Sequence, residues 1–148
     1  MTETPPRVLI VEDDEAVRGF LSRALERGGC EPIGVRTGEE ALQHMRTSAG
    51  VAVVLIDGLL PDMHGARLAE AILGEEAGAH VAVCFVSGAI REHRPPVAGV
   101  GALSKPLRLR DFLDALEQLL TWHRSGVDPA PARLAALRAL EQSFLVGP

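Results

Sequence analysis

The chain has 148 residues, 47% of them hydrophobic and 24% charged, with a formal net charge of −5 at pH 7; that is one domain's length and enough to bury a core. Residues 1–90 carry 7 basic and 14 acidic side chains and residues 91–148 carry 8 and 6, with no clustered basic stripe, so nucleic acid is not an expected partner. Two cysteines make no disulfide framework, the N-terminal "MTETPPR" has no signal-like basic or apolar region, and no run approaches the roughly 18 apolar residues of a membrane span, so the sequence reads as cytoplasmic with no membrane partner.

In chain order, "RVLIVEDD" is an apolar run of strand length that ends in acids. Val17, Phe20, Leu21, Ala24 and Leu25 then recur at helical spacing, and the pattern closes at Gly28 and Gly29. "EPIGV" is a short strand, and "TGEEALQHM" opens a helix with Ala41, Leu42 and Met45 inward. "VAVVLID" is a third strand; after a turn, "GARLAEAILGEE" places Leu68, Ala69, Ile72 and Leu73 on one helical face. "HVAVCFVS", which buries Cys84, and "GVGALS" are further strands, and "LRDFLDALEQLLTW" is a strong helix through Phe112, Leu113, Leu116, Leu119 and Leu120. Apolar strands alternating with helices predict an α/β fold, a (βα)₅ doubly wound five-stranded parallel sheet covered on both faces.

In such sheets ligands bind outside the carboxyl ends of the strands. Glu12, Asp13, Asp57, Ser87 and Lys105 all fall there. Asp57 is the sharpest case, because "VVLIDGLLPDMHG" ends a run fit for the centre of a sheet on a carboxylate and then turns through Gly58, Pro61 and Gly65. Three gathered carboxylates repel one another unless a cation sits among them, and all-oxygen ligation with room for water suits Mg²⁺ better than zinc. A divalent ion beside Asp57 makes phosphoryl chemistry plausible, with Asp57 as the nucleophile that becomes an aspartyl phosphate, Lys105 offsetting negative charge and the Ser87 hydroxyl donating a hydrogen bond. Lys105 is the single lysine beside fourteen arginines.

The segments "LIVEDDE", "LIDGLLPDMHG", "VSGA" and "LSKPL" stand in the order and approximate spacing of a two-component response-regulator receiver domain of the CheY-like kind, and the sequence resembles that family over residues 7–123. The resemblance implies the flavodoxin-like strand order 2-1-3-4-5, Asp57 as phosphoacceptor, and Ser87 and Lys105 as its catalytic partners. It implies Mg²⁺ held by Asp13, by Asp57, by Glu12 through water and by the backbone carbonyl of Leu59, and a cis bond between Lys105 and Pro106, which proline makes cheap. Asp14 is left to cap the first helix. The expected function is that of a single-domain response regulator in a bacterial phosphorelay. It takes a phosphoryl group from a histidine kinase or histidine phosphotransfer protein and signals by protein contact or onward transfer, and it is not an enzyme in the ordinary sense. Two other readings are an interaction module that keeps the fold without phosphorylation, which predicts decay of the site residues, and a phosphohydrolase of the haloacid dehalogenase kind, which would want an acid where Leu59 stands.

Several positions depart from the family. Ala102 occupies the place, three before the lysine, where an aromatic residue usually swings inward on activation. Pro95 and Pro96 fall where a fourth helix should run, and interior proline costs a helix about 3 kcal/mol, so that helix is expected short, displaced or melted. Gly58, Leu59 and Ala89 offer no carboxylate or amide to position a hydrolytic water, which implies slow loss of phosphate. His64 and His93 read as solvated loop residues. Residues 1–124 are assigned to the receiver domain and 125–148 to a linker plus a short amphipathic helix, with Asp128 as N-cap, Pro129 as first helical residue and Leu134, Leu137, Leu140 and Phe144 on one stripe. That stripe has three uses open to it: folding back over the depleted fourth-helix region, pairing in a homodimer, or engaging another protein. The face of the fourth helix, fifth strand and fifth helix is the alternative homodimer surface.

Overall fold

The structure, a computed structural model, describes residues 4–48 and 50–148. β1 (Arg7–Val11) leads into α1 (Glu15–Arg27), and the Asp14 carboxylate accepts the Val17 N–H at 3.0 Å, satisfying a donor that a helix start leaves free. β2 (Glu31–Val35), α2 (Gly38–Thr47), β3 (Val51–Ile56), α3 (Gly65–Gly74) and β4 (Ala82–Ser87) follow as the periodicity predicts. Parallel pairing runs β2-β1-β3-β4 and on to β6 (Val100–Ser104), which is the expected five-strand order.

Between β4 and β6 the expected fourth helix is absent. Arg94–Val97 forms β5 instead, a sixth strand antiparallel to β6 at the edge of the sheet. Two adjacent prolines cannot donate helical hydrogen bonds, whereas an edge strand leaves one side of its backbone unpaired and tolerates them. The reversal into β6 uses Ala98 at φ 52° and Gly99 at φ 73°, the left-handed pair that a two-residue hairpin turn requires.

Strand side chains alternate between two apolar layers. Val8, Ile10, Leu55, Cys84, Val86 and Leu103 face α1 and α4 (Leu109–Ser125), where Leu21, Leu25, Phe112, Leu116 and Leu119 meet them. Leu9, Val11, Val54, Ile56, Val83, Phe85, Val100 and Ala102 face the other way, toward α2 and α3. The end of that second layer nearest β6, which the missing helix would have covered, is closed by α5 (Ala130–Glu141) through Leu137 and Leu140 and by Phe144 just beyond it. Burying three such side chains contributes roughly 5 kcal/mol or more, which holds a helix that would be marginal alone. The apolar stripe is thus used within its own chain.

Two details of this region differ from the sequence reading. α5 begins at Ala130 after Pro129, and Asp128 does not cap it: its carboxylate accepts the Trp122 indole N–H at 2.7 Å. A half-buried indole has one donor and needs one acceptor, and Asp128 is within its reach. Phe144 is not on the helix stripe, because the helix stops at Glu141 and the chain turns before it.

The other surprise is Arg133, buried in the face of α5. Its Nε donates to the Ala98 carbonyl at 3.0 Å, its Nη1 to those of Gly78 at 2.8 Å and Ala79 at 3.3 Å, and its Nη2 to that of Val81. The guanidinium also lies 4.2 Å from the centroid of the Trp122 ring. Burial pushes its pKa down to about 10, with Asp128 opposing, so it stays charged at neutral pH. No helix of the described residues is long and apolar enough to cross a membrane.

Candidate functional site

Sheet register assembles the site at the end of β4 and one rung past β1, β3 and β6. The Glu12 N–H donates to the Val35 carbonyl at 3.1 Å, the Asp57 N–H to that of Val11 at 3.0 Å and the Lys105 N–H to that of Ser87 at 3.1 Å. These bonds extend the ladders of β1, β3, β4 and β6 and so set Glu12, Asp57, Ser87 and Lys105 side by side. Glu12, Asp13, Asp57 and Lys105 lie together with Ser87 beside Lys105 on the neighbouring strand, and the Lys105–Pro106 bond is cis as expected.

One carboxylate oxygen each from Glu12, Asp13 and Asp57 lies within 4.8 Å of the other two. Glu12 is buried, and Lys105 Nζ sits 3.0 Å from its Oε1 and 3.9 Å from Asp57 Oδ1. The remaining oxygen of Glu12, Oε2, is buried with no hydrogen-bond partner, which is a costly state for a carboxylate. Burial first, and then the neighbouring Asp57 carboxylate, push the Glu12 pKa up to about 7 against the pull of Lys105. A cluster of oxygen donors with an orphaned buried acceptor is what a hard divalent cation would complete. Asp13 is exposed at the rim, and Leu59, two residues beyond Asp57, is bridged to His64.

The loop after Asp57 is held by contacts that explain its glycines. A Cβ on Gly65 would lie 2.4 Å from the Asp57 carbonyl oxygen and 3.0 Å from Gly58 Cα, and the Gly65 N–H donates to the Gly58 carbonyl at 2.7 Å. Only glycine lets the start of α3 approach the Asp57 backbone this closely. At Gly58 a Cβ would meet both Ser87 Oγ and Phe144 Cε1 at 2.7 Å. Ser87 itself is buried, and its Oγ accepts the Ala89 N–H at 3.0 Å.

Three residues that sequence reasoning missed support this geometry. Asp62 accepts the Gly38 N–H at 2.9 Å and the Glu39 N–H at 3.0 Å, pinning the loop to the N-terminus of α2. An acid in a turn is visible in the sequence, but its target more than twenty positions earlier is not. Arg18 Nη1 donates to the Glu12 carbonyl at 2.9 Å. His64, read as solvated, caps α3 through Nδ1, which accepts the Ala66 N–H at 3.1 Å; its proton is therefore on Nε2, which donates to the Val146 carbonyl at 2.9 Å. His93 is also engaged, with Nδ1 accepting the Ser104 N–H at 3.0 Å and Nε2 lying 3.4 Å from Asp111.

The Asp62 clamp has a testable pH signature. Desolvation pushes its carboxyl up, but the hydrogen bonds from Gly38 and Glu39 outweigh it and hold the pKa below the ordinary 3.8. A depressed carboxylate stabilises the fold above its unfolded pKa, and the effect is lost as pH falls through the folded value. Asp62→Asn should therefore cost up to about 1 kcal/mol at pH 7, as lost helix caps do, and the difference should vanish in urea titrations run below that folded value.

Fold and site together define a flavodoxin-like α/β domain with an acidic pocket and one lysine at the carboxyl ends of its parallel strands. Residues 8–117 match the response regulator receiver domain, and the chain belongs to that family, whose members are the signalling receivers of two-component response regulators rather than ordinary enzymes. It is 29% identical over 118 residues to the response regulator receiver protein CpdR of Brucella abortus (strain 2308), covering 77% of this chain and 96% of that one. It is 32% identical over 118 residues to the sensor kinase CckA of the same strain, covering 76% of this chain but only 12% of the kinase. The crystal structure of a CheY-like receiver domain protein from Methanospirillum hungatei JF-1 superposes with a TM-score of 0.67 at 24% identity, over 82% of this chain and 98% of that one, a likeness of fold.

Proposed function

We propose that this domain is a phosphoacceptor: Asp57 takes a phosphoryl group from a phosphohistidine of a histidine kinase or phosphotransfer protein. The observation that carries the reading is Lys105 Nζ poised 3.0 Å from Glu12 and 3.9 Å from Asp57 in a pocket of converging carboxylates. A carboxylate oxygen of Asp57 forms the new P–O bond as the P–N bond to the donor imidazole breaks, and the imidazole leaves with the bonding pair and takes up a proton. Lys105 offsets the added negative charge, and the Ser87 hydroxyl, one strand away, donates to a phosphoryl oxygen.

The oxygen-only donor set and the orphaned Glu12 Oε2 fit Mg²⁺. Asp13 and Asp57 would hold it directly, Glu12 through water, and the Leu59 carbonyl would add a backbone ligand. When bound, it neutralises charge on the transferring group. The sequence relationship to a sensor kinase and to a receiver protein supports a phosphorelay as the setting, with output by protein contact or onward transfer.

Incubation with acetyl phosphate, followed by intact-protein mass, tests the reading. A Mg²⁺-dependent gain of one phosphoryl group that is lost in Asp57→Asn is expected; no gain with the donor in excess overturns it. Positions 58, 59 and 89 beside the site are Gly, Leu and Ala, whose side chains carry no group able to orient an attacking water. After removal of the donor the phosphoryl group should therefore persist for minutes or longer, and decay within seconds would contradict this account.

A further inference from the structure

The segment that follows α5 lies across the two loops that the proposed phosphorylation would use. The Leu145 N–H donates to the Ala89 carbonyl at 2.7 Å, and Phe144 forms an antiparallel bridge with Ile90. On the other side His64 Nε2 donates to the Val146 carbonyl at 2.9 Å. The Phe144 ring is buried between them, edge-on to Phe85 with centroids 5.0 Å apart and to His64 with centroids 4.8 Å apart. The ring therefore ties the loop after Asp57 to the loop after Ser87.

We propose that residues 143–146 form a strap whose grip on these loops is set by the phosphorylation state of Asp57. Gly58 links the two. The space above it is shared by Ser87 Oγ and the edge of Phe144, each 2.7 Å from where a Cβ would stand. A phosphoryl group on Asp57 adds oxygens that attract the Ser87 hydroxyl, which at present accepts only the Ala89 N–H. Drawing Ser87 toward Asp57 moves the turn that continues into Ala89 and Ile90. That turn carries the strap's backbone contacts, and its movement opens the slot in which Phe144 sits. Phosphorylation thereby loosens the strap and uncovers Phe85 and Ile90, a readout that needs no aromatic residue at Ala102. Coupling of this kind is reciprocal, so weakening the strap also favours the phosphorylated state.

The inference rests on the phosphoacceptor reading, and one experiment separates the two. Hydrogen exchange is followed by mass spectrometry on the full chain with Mg²⁺, with and without acetyl phosphate, beside intact mass on the same samples. On phosphorylation the Leu145 amide should exchange at least about tenfold faster while amides in the middle of α5 keep their protection, and Asp57→Asn treated alike should show no change. Phe144→Ala should release the strap without donor and raise the phosphorylated fraction at fixed acetyl phosphate. Phe144→Leu makes the same test with less loss of core should the alanine variant not fold. Full phosphorylation with unchanged exchange at residues 143–146 overturns the strap and leaves the phosphoacceptor intact. No phosphoryl gain removes both.

Discussion

Arg133→Ala is expected to lower the unfolding free energy by about 3–5 kcal/mol, one of the larger costs a single substitution brings. The side chain makes four hydrogen bonds to backbone carbonyls on two separate turns, those of Gly78, Ala79 and Val81 before β4 and that of Ala98 between β5 and β6. A charged donor strengthens each bond, and its removal leaves buried acceptors bare. The expected fall in Tm is about 10 °C or more, read by circular dichroism. Arg133→Met separates packing from bonding, because it keeps the apolar stem and loses every donor; most of the loss should remain. Arg133→Lys should rescue little, since a single ammonium cannot reach carbonyls spread around a planar fork. A loss below about 1 kcal/mol in all three would mean that α5 is held by its apolar face alone.

The second large effect is at Lys105. Lys105→Ala should slow phosphorylation of Asp57 by acetyl phosphate about a hundredfold or more, the usual result of removing one positioned donor from developing negative charge. The ammonium spans Glu12 and Asp57, and no other lysine exists in the chain to replace it. Mg²⁺ binding should survive the substitution, because the gathered carboxylates then repel one another more and favour a cation among them. Lys105→Arg should behave nearly as poorly, as a planar guanidinium on a longer stem does not fit the point between two carboxylates. A time course of intact mass measures both variants, and a rate within a fewfold of the native chain would remove Lys105 from the chemistry.

The sheet was legible because strands covered on both faces must be apolar throughout, and "VAVVLI" and "AVCFVS" have no other stable use. The site was legible for a related reason: parallel strands end together, so polar residues just after each apolar run converge. What stayed hidden depends on partners distant in sequence. Pro95 and Pro96 reveal that a helix fails, yet whether the chain then becomes a loop or an edge strand depends on the pairing offered by β6. Arg133 interrupts an apolar stripe and reads as a solvated charge until the carbonyls that receive it are in place. His64 and Asp62 look like turn residues, and only the tertiary arrangement shows what their free atoms bind. Phe144 falls at helical spacing after Leu140, so periodicity alone cannot show that the helix has already ended.

The replacement of the missing helix by α5 also shapes how the molecule must be born. A nascent chain has all its parallel strands once Ser104 is made, and α1 and α4 can cover one face of the sheet once Ser125 has followed. The other face keeps Phe85, Val100 and Ala102 bare until Leu137, Leu140 and Phe144 have emerged. During that interval the half-finished sheet presents an apolar surface and a strand edge to its surroundings, the condition in which chains aggregate or engage chaperones. Closure by so late a segment is also a long-range event that slows the final step. A fragment cut where the receiver family's match stops, at residue 117, would keep that face bare permanently and would also lack the last turns of α4.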